Sequence, residues 1–167
     1  LARFSRLLID ANRPLESPTL FRTHAEGREV ALNRRIAIAD AEARVALWHA
    51  YHGEVDRVLR HERAEVVLAV HSYTPEYEGV RRDYGLGVLF DREEQLAEAL
   101  RQELSALGEV RLNEPYSGRA GLIYAAQRHA DATGKRALEI EVRQDLAVEA
   151  SYRRRLVEVI ARGLWLG

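Results

Sequence analysis

The stretch from Glu65 to Pro75 carries the clearest pattern in the chain. An unbroken apolar, β-branched run, Val66-Val67-Leu68-Ala69-Val70, leads into His71-Ser72-Tyr73-Thr74-Pro75. Such a run predicts a strand buried on both faces. Pro75 has no N–H to give to a ladder, so the strand is expected to stop near Thr74. His71 then falls at the carboxyl end of a strand, where open α/β sheets bind ligands. A second pattern is strictly alternating. From Ala137 to Arg143, Leu138, Ile140 and Val142 point one way and Glu139, Glu141 and Arg143 the other. Shorter strands are predicted at Leu7–Ile9, Leu86–Phe90 and Val110–Leu112. The first is closed by Asp10-Ala11-Asn12-Arg13-Pro14, where Asp and Asn turn the chain and proline pushes Arg13 out of helical geometry.

Helical spacing fills the rest. Leu32, Ile36, Ala43, Leu47, Tyr51, Val55 and Leu59 predict a long helix over about Glu29 to Glu62, with Gly53 as a point of interruption. Leu96, Leu100, Leu104 and Leu107 share one face of a helix from Arg92 to Leu107, capped by Gly108. Two more helices fit Leu122–Thr133, ended by Gly134, and Val148–Arg162. Arg13–Gly27 and Tyr77–Asp83 read as loops. Strands that alternate with helices predict an α/β fold with a mixed, largely parallel central sheet flanked by helices.

Composition narrows the function classes. The 167 residues suit a single domain with a real core. A net charge of -1 gives no electrostatic case for nucleic acid or an anionic membrane surface. The absence of cysteine excludes disulfides, thiolate metal sites and a cysteine nucleophile, and fits a cytoplasmic setting. No apolar run reaches membrane-spanning length. The chain starts at Leu1 and contains no methionine; Leu1 is read as a cut edge, with an N-terminal segment expected upstream.

Three groups of residues carry candidate chemistry. His71 has two readings: a neutral imidazole that binds a metal or acts as a base, or a histidine satisfied by the backbone. Glu139 and Glu141 line either the wet face of an edge strand or a site in which Glu141 is a general base, with Arg143 or another cation beside it. Asn12 and Arg13 offer an amide and a guanidinium at a strand exit. They either grip a carboxylate or close a turn. Arg81-Arg82, after Gly79, is open to the same pair of readings. His49 and His52 lack an inward carboxylate to complete a metal pair and are assigned to a solvated helix face.

Taken in order, five stretches resemble the N-formylglutamate amidohydrolase family. They are Ser5 to Pro14, His71 to Pro75, Gly79 to Leu89, Asn113 to Gly118, and Glu139 to Leu146. The family is similar to zinc carboxypeptidases and aspartoacylases, and the resemblance implies a zinc-carboxypeptidase-like (phosphorylase/hydrolase-like) core. It implies an enzyme that hydrolyses the N-acyl amide of a small amino acid, N-formyl-L-glutamate being the named expectation, and a place in histidine degradation. By the same resemblance His71 is a metal ligand, and Glu141, in Glu-Val-Arg, is the catalytic carboxylate. Asn12 and Arg13 hold the substrate carboxylate, with Arg6, Arg82 and Tyr116 as further substrate contacts. One divalent metal, Zn2+, is implied. Its other ligands, a histidine and a carboxylate in the relatives, are expected upstream of Leu1, since no histidine precedes Asn12. The partner is a small-molecule N-acyl amino acid. Two alternatives stand beside this reading: a non-catalytic carboxylate-binding module of the same fold, and a broader N-acyl amino acid deacylase or peptidase.

Overall fold

The computed structural model describes residues 2–165. In chain order the elements are β1 (His24–Ala25), β2 (Arg28–Glu29), α1 (Ile38–His61), β3 (Val66–Tyr73), β4 (Glu76–Tyr77), β5 (Val80–Arg81), β6 (Leu86–Leu89), α2 (Glu94–Leu104), β7 (Val110–Leu112), α3 (Tyr124–Thr133), β8 (Arg136–Arg143), α4 (Gln144–Ala147) and α5 (Ala150–Trp165). Single 3-10 turns lie at Ala31–Asn33, Ser105–Leu107 and Gly118–Ala120. The central sheet runs β3-β8-β6-β7. β3 pairs with β8 in parallel, β8 with β6 antiparallel, and β6 with β7 in parallel. The fold is therefore mixed α/β with a mostly parallel sheet. Among the described residues no helix is long and apolar enough to cross a membrane.

The alternation read along β8 sets the two layers. Leu138, Ile140 and Val142 enter the main core with Leu86 and Val88, and with Leu100 and Leu104 of α2 and Leu156 and Val159 of α5. The opposite face of the sheet meets α3, where Ala126 and Ala130 pack on Ala137, Val67 and Ala69. Alanines let the helix lie close against the strands. Gly134 ends α3 in the left-handed region, at φ 67°, so that the chain can turn straight into β8.

Several expectations are corrected. Leu7–Ile9 is not a strand. Ser5 takes the backbone N–H of Leu7 through its hydroxyl and that of Leu8 through its carbonyl, which closes a turn. Ile9 is still buried, in a separate small core with Leu20 and Trp48. The segment from Arg13 to Glu29 contains the β1–β2 hairpin, and α1 begins at Ile38 rather than Glu29. Before it, Asn33 is drawn inward to donate to the carbonyls of Leu7 and Arg22. Gly53 does not interrupt α1. The inward face of α1 is Arg44, Trp48, His52 and Asp56, not the aliphatic row, and Leu32 and Leu47 are exposed. His52 is thus buried, against the expectation of a solvated face, while His49 is exposed. Tyr77–Asp83 includes the small β4–β5 hairpin.

β3 departs from its expected place inside the sheet, and of the two readings open for β8 the wet edge is excluded while burial stands. β3 forms an edge of the sheet, with Val70 56% exposed. β8, whose carboxylates suggested an edge, lies inside the sheet and is buried from Ala137 to Val142.

Candidate active site

The site grows out of the β3–β8 register. Parallel pairing sets Ala69 beside Glu139 and His71 beside Glu141. Side chains two apart share a face, so His71, Glu139 and Glu141 project from the same side of the sheet. One ligand atom from each lies within 4.8 Å of the others. His71 Nε2 is 3.6 Å from Glu139 Oε2. Across from Glu141 on β6 stands Gly87, where a Cβ would come within 1.9 Å of the Glu114 carbonyl oxygen. Glycine is the residue this position allows.

Both carboxyl groups are almost wholly covered, Glu139 at 1% and Glu141 at 4% exposure. Burial pushes Glu139 up to about 8, with the neighbouring Glu141 adding to the rise and the Asn12 amide opposing it. Burial pushes Glu141 up to about 7 against the pull of Arg6 and Arg82. Glu141 Oε2 has no hydrogen-bond partner among the described residues. Burial also lowers the pKa of His71, helped by the charges of Arg6 and Arg13, so the imidazole is neutral and free to offer a lone pair.

The turn after Ile9 brings the next residues in. Asn12 donates its backbone N–H to Asp10 Oδ1 at 3.0 Å, and Arg13 N–H reaches the Asp10 carbonyl. The Asn12 amide nitrogen faces Leu122 O at 3.3 Å and Glu139 Oε2 at 3.5 Å, and its oxygen accepts from Ala125 N–H at 2.8 Å. Arg6 donates to Asp10 Oδ2 at 2.6 Å. The Arg13 guanidinium bonds only the Asn12 carbonyl, at 2.8 Å, among the described residues.

A cavity of about 130 Å³ is lined by Arg6, Asn12, Arg13, Arg22, His71, Tyr77, Tyr116, Leu122, Glu139 and Glu141. Of the residues singled out in the sequence, it brings together Arg6, Asn12, Arg13, His71, Tyr116, Glu139 and Glu141. Arg82 is not among the lining residues; it lies over the rings of Tyr73, Tyr77 and Tyr116 at 5.6, 5.2 and 5.4 Å, and its Nη1 is buried without a partner among the described residues. Arg143 does not face Glu141. It donates to the carbonyls of Arg82, Asp83 and Tyr84 and pairs with Asp145, so the cations near Glu141 are Arg6 and Arg82.

Arg22 is a site residue that the sequence reading passed over. Its Nε is buried without a partner. It lay in a stretch read only as loop, and no pattern there marked it. Asp10 was read as a turn former, and it does form the turn, yet it also holds Arg6. Chemically, the cleft combines a neutral imidazole, two buried carboxyl groups and several guanidiniums. That set can bind a cation on the sheet, grip an anionic ligand with the arginines, and move a proton at Glu141.

No curated protein matches the chain. The crystal structure of gene product Atu2144 from Agrobacterium tumefaciens is similar over 97% of this chain and 68% of its own, with a TM-score of 0.87 and 30% identity. The crystal structure of N-acetylmuramoyl-L-alanine amidase from Clostridium difficile 630 is similar over 68% of this chain and 63% of its own. Its TM-score of 0.49 and 12% identity are too low to carry an argument. The family model described as N-formylglutamate amidohydrolase matches residues 1–148. With that match across most of its length, the chain belongs to the N-formylglutamate amidohydrolase family.

Proposed function

We propose that the protein hydrolyses the N-acyl amide of a small amino acid, with N-formyl-L-glutamate as substrate, on a zinc-carboxypeptidase-like core. The observation that carries this is Glu141, a buried carboxylate on an inner strand with one oxygen left unpartnered beside a neutral histidine. An orphaned buried carboxylate oxygen is costly unless something is meant to meet it. His71 and the adjoining carboxylates fit a divalent cation, Zn2+ in this reading, and His71 would be a ligand. When bound, such an ion would polarise the acyl carbonyl and lower the pKa of water.

The chain's own residues do the rest. A water oxygen forms a bond to the acyl carbon, and Glu141 takes its proton at the unpartnered Oε2. The C–N bond then breaks, and Glu141 returns that proton to the leaving amine. The pKa of about 7 suits both halves of this cycle near neutral pH. Arg13, with Arg6 and Arg22 nearby, holds the substrate's carboxylates and so orients the amide. Tyr116 closes the wall, backed by the guanidinium of Arg82. The small cavity and its arginines favour a small anionic substrate over a polypeptide.

The arginine cluster would also serve a protein that binds N-acyl amino acids without cleaving them. Formate release separates the two. The zinc-loaded full-length protein is expected to free formate from N-formyl-L-glutamate, and His71→Ala is expected to lose most of its metal by elemental analysis. Unchanged metal content in that variant would remove the ligand role. A folded, zinc-loaded protein that binds the substrate and releases no formate would remove the hydrolase.

A further inference from the structure

Outside the cleft, α1 and α3 bury a second polar cluster that the proposed reaction does not use. His52 and His129 are 1% and 2% exposed. His52 Nε2 lies 3.1 Å from the Ala11 carbonyl, His52 Nδ1 lies 2.9 Å from His129 Nε2, and His129 Nδ1 lies 2.6 Å from Asp56 Oδ1. Trp48 packs on His52, with ring centroids 4.0 Å apart. Arg128 donates to both oxygens of Asp56 and stands 3.1 Å from His129 Nδ1. The rings of Tyr51 and Tyr124 also face His52.

The end of this chain matters most. Ala11 C=O and Asn12 N–H belong to one peptide group. His52 faces its oxygen, and Asp10 Oδ1 accepts from its N–H. That peptide is the middle of the turn closed by Arg13 N–H on the Asp10 carbonyl. The middle peptide of a β-turn is the one that reverses between turn types, and asparagine tolerates either form. Asn12 does not have positive φ here. We propose that His52 and His129 are positioning residues: anchored on Asp56, they lock the Ala11–Asn12 peptide in the orientation that presents Asn12 to Glu139.

Proton counting gives the lock a distinctive property. Each of its gaps needs one proton: Ala11 to His52, His52 to His129, and His129 to Asp56. Neutral imidazoles carry one ring proton each, and neither an ionised Asp56 nor a carbonyl carries any. The lock is complete only with one proton more than two neutral histidines hold. Burial, with repulsion from His129 and Arg128, pushes His52 down to about 4. His129, the ring beside Asp56, is the one that takes the extra proton: burial lowers its pKa as well, and the hydrogen bond and charge of Asp56 oppose the fall, so the complete lock belongs to the acid side of the ordinary histidine range. When His129 loses its extra proton it keeps Nδ1–H on Asp56. In this proposal His52 then donates from Nδ1 to His129, which leaves a bare Nε2 facing Ala11 O. The lock opens by a change of tautomer, and the peptide is free to turn.

Nuclear magnetic resonance of the protein labelled with 15N in histidine and in the backbone tests this without reference to any reaction. In the wild type, His52 is expected as the Nε2–H tautomer while His129 carries both ring protons. It should convert to Nδ1–H as His129 deprotonates, and the Asn12 amide resonance should move with the same midpoint. In Asp56→Asn the side-chain amide can donate to His129 Nδ1, which fills every gap without an extra proton. His52 should then stay Nε2–H across the range, and the Asn12 shift should vanish. His52→Gln, which keeps a side-chain N–H, should hold Asn12 near its wild-type resonance, whereas His52→Leu should not. A His52 tautomer unmoved by the titration of His129, or an Asp56→Asn protein that titrates like the wild type, would overturn the proposal. If His52→Leu does not fold, the wild-type and Asp56→Asn spectra still decide it.

Discussion

Strands β3 and β8 lie side by side, parallel and paired residue for residue from Val66 and Arg136 to Tyr73 and Arg143. The composition of β3 predicts an enclosed strand, and that of β8 leaves a wet edge as one of two readings. The apolar strand is the edge, and the strand with alternate carboxylates is inside the sheet. Strand order sets which backbone is enclosed, and residue chemistry only sets which face of it is favourable. β8 is flanked on both sides, so its outward-reading positions are buried all the same. Carboxylates at those positions lose hydration without gaining a full set of partners. A sheet built for stability alone would fill positions 139 and 141 with apolar side chains. The glutamates there, opposite the one histidine of β3, sit at a cost in stability, which fits the proton transfer proposed for Glu141.

The sharpest way to test this contrast is to truncate one aliphatic residue in each strand. Ile140 is fully buried in β8, and Ile140→Ala is expected to cost about 2–5 kcal/mol in urea unfolding. Val70, on the edge, should lose only about 0.5 kcal/mol or less on Val70→Ala. Equal losses would mean that β3 is enclosed to the same degree as β8.

The next effect concerns the anchor. Arg13→Lys is expected to lower kcat/KM by about 2 kcal/mol, because a point charge cannot replace a planar fork on a carboxylate. Steady-state kinetics with the wild-type value would exclude the clamp.

A smaller effect should appear in the pH dependence of stability in metal-free protein. Glu139 and Glu141 are raised to about 8 and about 7 from 4.5. Between 4.5 and those values the folded chain keeps protons that the unfolded chain has released. Stability is therefore fully present below 4.5 and is lost as pH rises through about 7 and about 8, by up to ~1.4 kcal/mol per pH unit for each group. His52 acts the other way, lowering stability as pH falls from 6.5 toward about 4. Urea melts above 6.5 isolate the glutamates, and Glu139→Gln should flatten the decline there. A slope unchanged by that substitution would mean that Glu139 ionises normally in the fold.

Much of the architecture was legible because its signals are local. The ends of β3, β6, β7 and β8, the glycine stop after α3 and the leucine face of α2 follow from runs, alternation and breakers. The site residues His71, Asn12, Arg13 and Glu141 stood out because polar groups sat where strands or turns end, and the family resemblance joined them. Strand order was not legible, since it depends on which strands pair at long range. For the same reason Glu139 and Glu141 could be read as wet. Leu7–Ile9 misled because serine, aspartate and asparagine side chains near it compete for its backbone. The inward face of α1 misled more deeply. Arg44 is satisfied by Asp40 one turn away and by Asn33 before the helix, while His52 and Asp56 are satisfied by His129 and Arg128, far away in sequence. Arg22 carried no pattern at all.

The central claim is that Glu141, buried on β8, is the proton-transfer group of an amidohydrolase. The direct measurement is kcat for formate release from N-formyl-L-glutamate by Glu141→Gln, beside wild type and Glu139→Gln, at equal bound metal. A kcat roughly a hundredfold or more lower in Glu141→Gln is expected, with substrate binding retained and a much milder loss in Glu139→Gln. Wild-type kcat in Glu141→Gln would contradict the account.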